Sequence, residues 1–185
     1  LASELVDQSF VSLLLKFMQD HGHLSGVDIQ CRCIIAIADL SKIAISYASA
    51  LVEAGACEAI IATMLRIPDD VIVQTAGCHA LTYLVNGEAV AVQTLTDFNI
   101  ARVLINDLKI FSRNPTFIQQ AYELLTVMLC NESVSSLQNK LASTGACETL
   151  TQHYDGLKSE LFLSCRCLTA ISFLALKNSQ NAETI

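Results

Sequence analysis

Asp20-His21-Gly22-His23 brings two imidazoles and a carboxylate within four residues, the side chains that hold a transition metal. Two neighbouring histidines supply at most half of a tetrahedral shell, and no further ligand cluster accompanies them. Gly22 instead has the place of a helix C-terminal cap. The pairs Cys31/Cys33 and Cys165/Cys167 raise the same question. On a helix, residues i and i+2 lie about 200° apart, so one pair cannot clamp one ion. Zinc sites space their cysteines by two to four residues on turns. All eight cysteines (Cys31, Cys33, Cys57, Cys78, Cys130, Cys147, Cys165 and Cys167) lie in apolar helical patterns and read as reduced packing residues. His79 and His153 stand alone. No glycine-rich phosphate loop, Gly-x-Ser-x-Gly or His-Glu-x-x-His is present. Asn131-Glu132-Ser133 has the form of a glycosylation acceptor, which is idle in a cytosolic chain. The expectation is a protein that is not an enzyme and holds no metal and no cofactor.

The residues that would position any site are strongly apolar. Of 185 residues, 52% are hydrophobic and only 16% charged, with seven glycines and two prolines, which excludes disorder and collagen-like or proline-rich structure. A membrane span needs about 20 apolar residues in a row. Val11–Phe17 is interrupted by Ser12 and Lys16, and Cys31–Ala48 by Arg32, Asp39 and Lys42. Leu161–Leu176 carries Arg166, with Ser164, Thr169 and Ser172 to one side. These are amphipathic helices, and no membrane span is expected. The net charge is −7, and the eleven lysines and arginines are scattered. Nucleic-acid binding needs a basic face, so no nucleic-acid partner is expected. Without a signal-peptide pattern, the expected compartment is the cytoplasm, with the nucleus also open to such a chain.

Internal repetition decides the architecture. Gly55-Ala56-Cys57-Glu58 returns as Gly145-Ala146-Cys147-Glu148, 90 residues on. Midway, Leu95–Ala101 matches Leu51–Cys57 with Asn99 in place of Gly55. Glycine and asparagine both tolerate the left-handed backbone that leaves a helix. Ala36-Ile37-x-x-Leu40, Ala80-Leu81-x-x-Leu84 and Ala170-Ile171-x-x-Leu174 form a second series, with Leu125 and Leu129 at the matching place in the third unit. Cys31-Arg32-Cys33 and Cys165-Arg166-Cys167 stand three periods apart. The period is about 45, and each unit reads as a short, a middle and a longer third helix, over about 43–53, 56–67 and 70–85 in the second unit. Ile67-Pro68-Asp69 separates two helices, with Asp69 as cap; Asn114-Pro115 does the same later. No run alternates with period two, so strands are not expected.

A period of about 45 with three helices per unit, glycine joints at Gly55 and Gly145, and the Ala80-Leu81-x-x-Leu84 ladders resembles the armadillo repeat. The resemblance covers nearly the whole chain. It implies an all-α fold, a right-handed α-solenoid, as one domain over 1–185. The repeats fall at 1–41 (partial, with helices over 3–20 and 27–41), 42–86, 87–131 and 132–178, and 179–185 begins a further helix. It also implies a non-catalytic scaffold that binds a protein or peptide along the face of the third helices. On those helices, Val73, Ala76, Ala80, Leu81 and Leu84 are the core stripe. Thr75, His79, Thr82 and Asn86 are the neighbouring, partner-binding stripe. Its equivalents are Cys31, Ile35, Ala38 and Lys42, then Gln120, Leu124, Val127 and Asn131, then Cys165, Thr169, Ser172 and Leu176. The residues expected to touch a partner are Thr75, His79, Thr82, Asn86, Gln120, Val127, Asn131, Thr169 and Ser172.

Asn86 and Asn131 fall where importin-like members place peptide-clamping asparagines, and asparagine offers the donors and acceptor that match a peptide bond. Helix capping would also use them. The chain has no Trp, and Thr82 and Val127 stand where import adaptors place one. A weakly charged or apolar partner segment is therefore expected rather than a basic one. The alternative is an assembly module, self-associating or docking within a larger regulatory protein through its ends at Leu13–Leu15 and Leu161–Leu176.

Overall fold

The computed structural model describes residues 8–20, 27–86, 88–130, 134–176 and 178–184, and His21, Gly22, His23 and Asn131 lie outside these. Twelve helices are described: α1 Gln8–Asp20, α2 Val27–Ile43, α3 Ile45–Glu53, α4 Ala56–Arg66, α5 Val71–Val85, α6 Ala89–Asp97, α7 Ile100–Ile110, α8 Pro115–Leu129, α9 Val134–Ser143, α10 Ala146–Gly156, α11 Leu161–Ala175 and α12 Ser179–Thr184. Among the described residues there is no strand, and the fold is helix packed on helix. The chain forms two compact units, Leu1–Thr94 and Leu95–Ile185.

In three of the repeats the joint between the first and second helix is a single left-handed residue. Gly55 has φ +89°, Asn99 φ +53° and Gly145 φ +77°. The Gly55 joint bends the chain by 69° between α3 and α4. Such φ values cost a residue with a Cβ about 1–2 kcal/mol, which glycine escapes and asparagine partly escapes. The start of each third helix is set by a cap in two of the repeats. Asp70, not Asp69, caps α5: its Oδ1 accepts from the N–H of Ile72 at 2.8 Å and of Val73 at 3.1 Å. A cap must directly precede the first helical residue, here Val71. Asn114 caps α8 by accepting from Phe117 N–H at 2.9 Å, with Pro115 in the first turn.

Those two caps are 44 residues apart, and they fix the register of α8 one residue away from the sequence expectation. Gln119 stands in for Thr75, Glu123 for His79 and Leu124 for Ala80. Cys130, the C-terminal cap of α8, takes the place of Asn86. Gln120 and Val127 therefore correspond to Ala76 and Tyr83.

Within the first unit, α2 packs along α5, and α1 against α4; within the second, α8 packs along α11, and α7 against α10. The expected core stripe Val73, Ala76, Ala80, Leu81 and Leu84 is buried. A polar clamp ties the third helix to the second. Gln30 Nε2 donates to Met18 O at 3.2 Å. Gln74, 44 residues on and fully buried, donates to Met64 O at 2.8 Å and Ile67 O at 2.9 Å. In the last repeat the Ser164 hydroxyl donates to Leu157 O instead. These donors satisfy carbonyls at the C-terminal ends of second helices, which have no partner inside their own helix.

No single described helix is long and apolar enough to cross a membrane. The bent pair α3 and α4 has the length and composition together, yet Leu51, Ile60, Ile61 and Met64 from it are fully buried inside the protein.

Two expectations follow for urea unfolding. Gly55→Ala should lose about 1–2 kcal/mol, while Asn99→Gly should change stability by a few tenths at most. Gln74→Leu should cost about 1–3 kcal/mol, because two buried carbonyls lose their donor; an unchanged midpoint would remove the clamp from the account.

Candidate functional site

In the first unit the open side of the paired third helices is built from every third or fourth residue. On α5 it runs through Thr75, His79, Tyr83 and Asn86; the first three are half-buried and Asn86 is exposed. On α2 it runs through Ile35, Asp39 and Lys42, with Ile35 46% exposed. Thr82, expected on this stripe, is only 6% exposed and returns its hydroxyl to Cys78 O at 2.8 Å. The reason is angular. From His79, a step of three residues turns about 60° one way and a step of four about 40° the other. Tyr83 keeps to the open side, and Thr82 turns into the packing, as does its fully buried equivalent Ala38. Cys31, at the Thr75 position, is buried as well.

Three of these side chains form one group. The Lys42 ammonium lies 4.8 Å from the Tyr83 ring centroid, within cation–π range. It also pairs with Asp39 Oδ1 at 3.2 Å. The His79 ring meets Tyr83 edge-on at 5.1 Å. The result is an aromatic platform with a cation above it and an imidazole at its edge, next to the exposed aliphatic Ile35. Sequence reasoning missed Tyr83; its signal was the four-residue step from His79.

In the second unit the corresponding side is more neutral. Gln119, Glu123 and Val127 are half-buried on α8, and Gln120 is half-buried beside them. On α11, Cys165, Thr169 and Ser172 are exposed. The Thr169 hydroxyl donates to Cys165 O at 2.9 Å and that of Ser172 to Thr169 O at 2.8 Å. Leu124 is fully buried.

Three titratable groups inside the second unit are held neutral. Tyr122 Oη and His153 Nδ1 share a hydrogen bond of 3.1 Å. Burial raises the Tyr122 phenol, and Cys167 next to it raises it further. Burial also raises the Cys167 thiol, whose sulfur donates to Leu150 O at 3.3 Å. It lowers His153, against a backbone hydrogen bond to Leu108. A thiol must ionise to act as a nucleophile, and here the phenol, thiol and imidazole all stay uncharged at neutral pH. None of the eight cysteines is in a disulfide; six are buried and Cys130 and Cys165 are exposed. Burial pushes the Cys57 thiol up to about 12. Among the described residues no three His, Cys, Asp or Glu side chains gather as a metal site. Asp107 is buried with Oδ2 lacking a hydrogen-bond partner. Burial raises it to about 6, against a hydrogen bond from Asn106.

No protein-family model and no curated protein matches the sequence. The fold is similar to solved structures. Three crystal structures of engineered proteins from the Northeast Structural Genomics Consortium superpose with TM-scores of 0.77, 0.79 and 0.75, at 19%, 20% and 18% identity. They cover 95%, 98% and 94% of this chain, which spans 66%, 41% and 67% of theirs. At such identities the likeness is one of fold, an all-helical, repeat-like packing.

Asp107 makes stability depend on pH with a definite sign. Its folded value of about 6 lies above the unfolded one, so the native state holds the proton longer. Its contribution declines as pH rises from about 4 through 6. His153, lowered by burial, acts oppositely: its contribution is lost as pH falls below about 6.5. Asp107→Asn isolates the first group. The stability of the native chain relative to this variant should fall by roughly 2 kcal/mol between pH 4 and pH 7. A difference independent of pH would contradict the burial argument.

Proposed function

We propose that this chain is a non-catalytic protein-interaction module that binds a partner segment on the open face of its third helices. In the first unit that face belongs to α2 and α5, and in the second to α8 and α11. The carrying observation is the Lys42–Tyr83–His79 group. Its rings stand half-buried at the surface, outside the core stripe, and aromatic side chains so placed are the usual energetic centres of interfaces. Ile35 adds an apolar contact, and Asn86, exposed at the end of α5, offers both donors and an acceptor to a peptide backbone. In the second unit Gln119, Val127, Thr169 and Ser172 supply a milder, mostly neutral surface. The partner is a weakly charged protein segment with apolar or aromatic side chains, in the cytoplasm or nucleus.

In this reading the repeats are of armadillo type, stacked as a right-handed α-solenoid. The three-helix repeat and its left-handed joint support that assignment, and the likeness to engineered helical proteins is compatible with it.

The test starts from peptides selected from a random display library on the native chain. Tyr83→Ala should weaken their binding by about tenfold or more, as for an aromatic anchor, and His79→Ala should weaken it less. Leu65→Ala, on the exposed side of α4, should leave it unchanged. Equal affinity for native chain and Tyr83→Ala, with unfolding midpoints matched, would overturn the reading.

A further inference from the structure

The second helices α4, α7 and α10 each have 11 residues and each follow a left-handed joint, so their positions correspond one to one. The first turn holds Glu58 in α4 and Glu148 in α10, but no acid in α7. Arg102 stands in that place. The partial positive charge of a helix N-terminus favours an acidic side chain there and disfavours a cation. Proteins break such local rules at functional sites. Further along, Lys109 corresponds to Leu65 and Asp155, and Arg113, in the turn after α7, to Asp69 and Ser159. Positions that are acidic or neutral in the other two repeats are thus cationic in this one. Packing does not demand these cations, since the same fold accepts Glu, Leu, Asp or Ser in their stead.

Arg102, Lys109 and Arg113 are all exposed, and none of them makes an ion pair among the described residues. A step of seven residues along a helix returns to within about 20°, so Arg102 and Lys109 share one side of α7. Arg113 follows in the turn beyond. The opposite side, Ala101, Leu104, Ile105 and Leu108, is buried, and Ile110 beside Lys109 is 51% exposed. Within its unit α7 packs against α8, α9 and α10, and the cationic side stays exposed with those neighbours in place. The chain as a whole is acidic, with net charge −7, and α10 exposes Glu148 and Asp155 at the equivalent positions. An anionic ligand is therefore attracted along α7 and repelled beside it, which holds it lengthwise.

The row also sets the ligand's chemistry. Arg102 and Lys109 lie about 10 Å apart along the helix axis, too far to converge on one phosphate. Carboxylates spaced along a chain match them, and a guanidinium fork suits a carboxylate in two-point contact. Membrane-binding basic segments gather about four to eight cations, more than this row holds. We propose that the exposed side of α7 docks an acidic protein segment lying along the helix, its carboxylates on Arg102, Lys109 and Arg113 and an apolar side chain on Ile110. This is a second surface, independent of the open strip of the third helices.

The probe is a labelled peptide of Glu-Pro-Ala repeats. Its polyproline conformation puts the glutamates on one side, about 9 Å apart. Fluorescence anisotropy should show it binding the native chain, while a Gln-Pro-Ala counterpart should not bind. Raising salt from about 0.05 to 0.5 M should weaken binding by about tenfold or more, as for exposed charges. Arg102→Glu, which copies the residue of the other two repeats, should weaken binding by about tenfold and yet raise the urea unfolding midpoint. That opposition separates lost docking from lost folding. Arg166→Glu, on α11, changes the net charge equally and should alter binding by less than about twofold. The proposal fails if the two peptides bind alike, or if neither binds at about millimolar concentration. It fails equally if Arg102→Glu binds as the native chain does or unfolds earlier, or if Arg166→Glu weakens binding as much. Capture of the chain by phosphatidylserine vesicles, with no binding of the peptide, would overturn it in favour of a membrane surface.

Discussion

A single left-handed residue at the joint of three repeats is the constraint on which the remainder of this structure depends. At Gly55, Asn99 and Gly145 the backbone turns through positive φ, and the next helix begins at once. A longer linker would let the second helix wander, whereas a continuous helix would carry its apolar face away from the core. The sharp joint instead aims Cys57, Ile60, Ile61 and Met64 inward together, all fully buried. Each fully buried isoleucine contributes about 1.5–3 kcal/mol, so the joint governs far more energy than its own strain costs.

The second helix then fixes the third. Gln30 and Gln74 enter otherwise apolar surroundings to satisfy carbonyls at the second helix's end. An unsatisfied buried carbonyl is costly, and an unsatisfied amide equally so, which makes the pairing specific in register. Gly77 tightens the same contact: a Cβ there would lie 2.4 Å from the Met64 sulfur. The remaining strip of the third helix lies outside these contacts. Thr75, His79, Tyr83 and Asn86 lie there.

Much of this was legible before any coordinates. The recurrence of Gly-Ala-Cys-Glu gave the period, and Asn99 was recognisable as a third joint because few residue types accept positive φ. Helix starts were less legible. Asp69 and Asp70 are chemically identical candidates, and only the position of the first helical turn separates them. In α8 the absence of a matching glycine and alanine let the alignment slip by one residue, which exchanged Gln119 for Gln120 and Cys130 for Asn131. Periodicity also misplaced Thr82, since a step of three and a step of four both look helical, yet they end on different sides of the ridge. The Lys42–Tyr83 contact was invisible because it joins two third helices, α2 and α5, and spacing within one helix carries no information about it. The buried glutamines were hidden for a related reason: their partners are backbone carbonyls, which leave no mark in sequence.

The central claim is that the third helices' open strip, rather than the second helices, meets the weakly charged partner. Amide and methyl chemical-shift mapping of a display-selected peptide on the isotope-labelled chain tests this most directly. The account predicts perturbations concentrated at Ile35, Thr75, His79, Tyr83 and Asn86 in the first unit, and at Gln119, Val127, Thr169 and Ser172 in the second. Perturbations confined to α4, α7 and α10, with these residues unmoved, would contradict it.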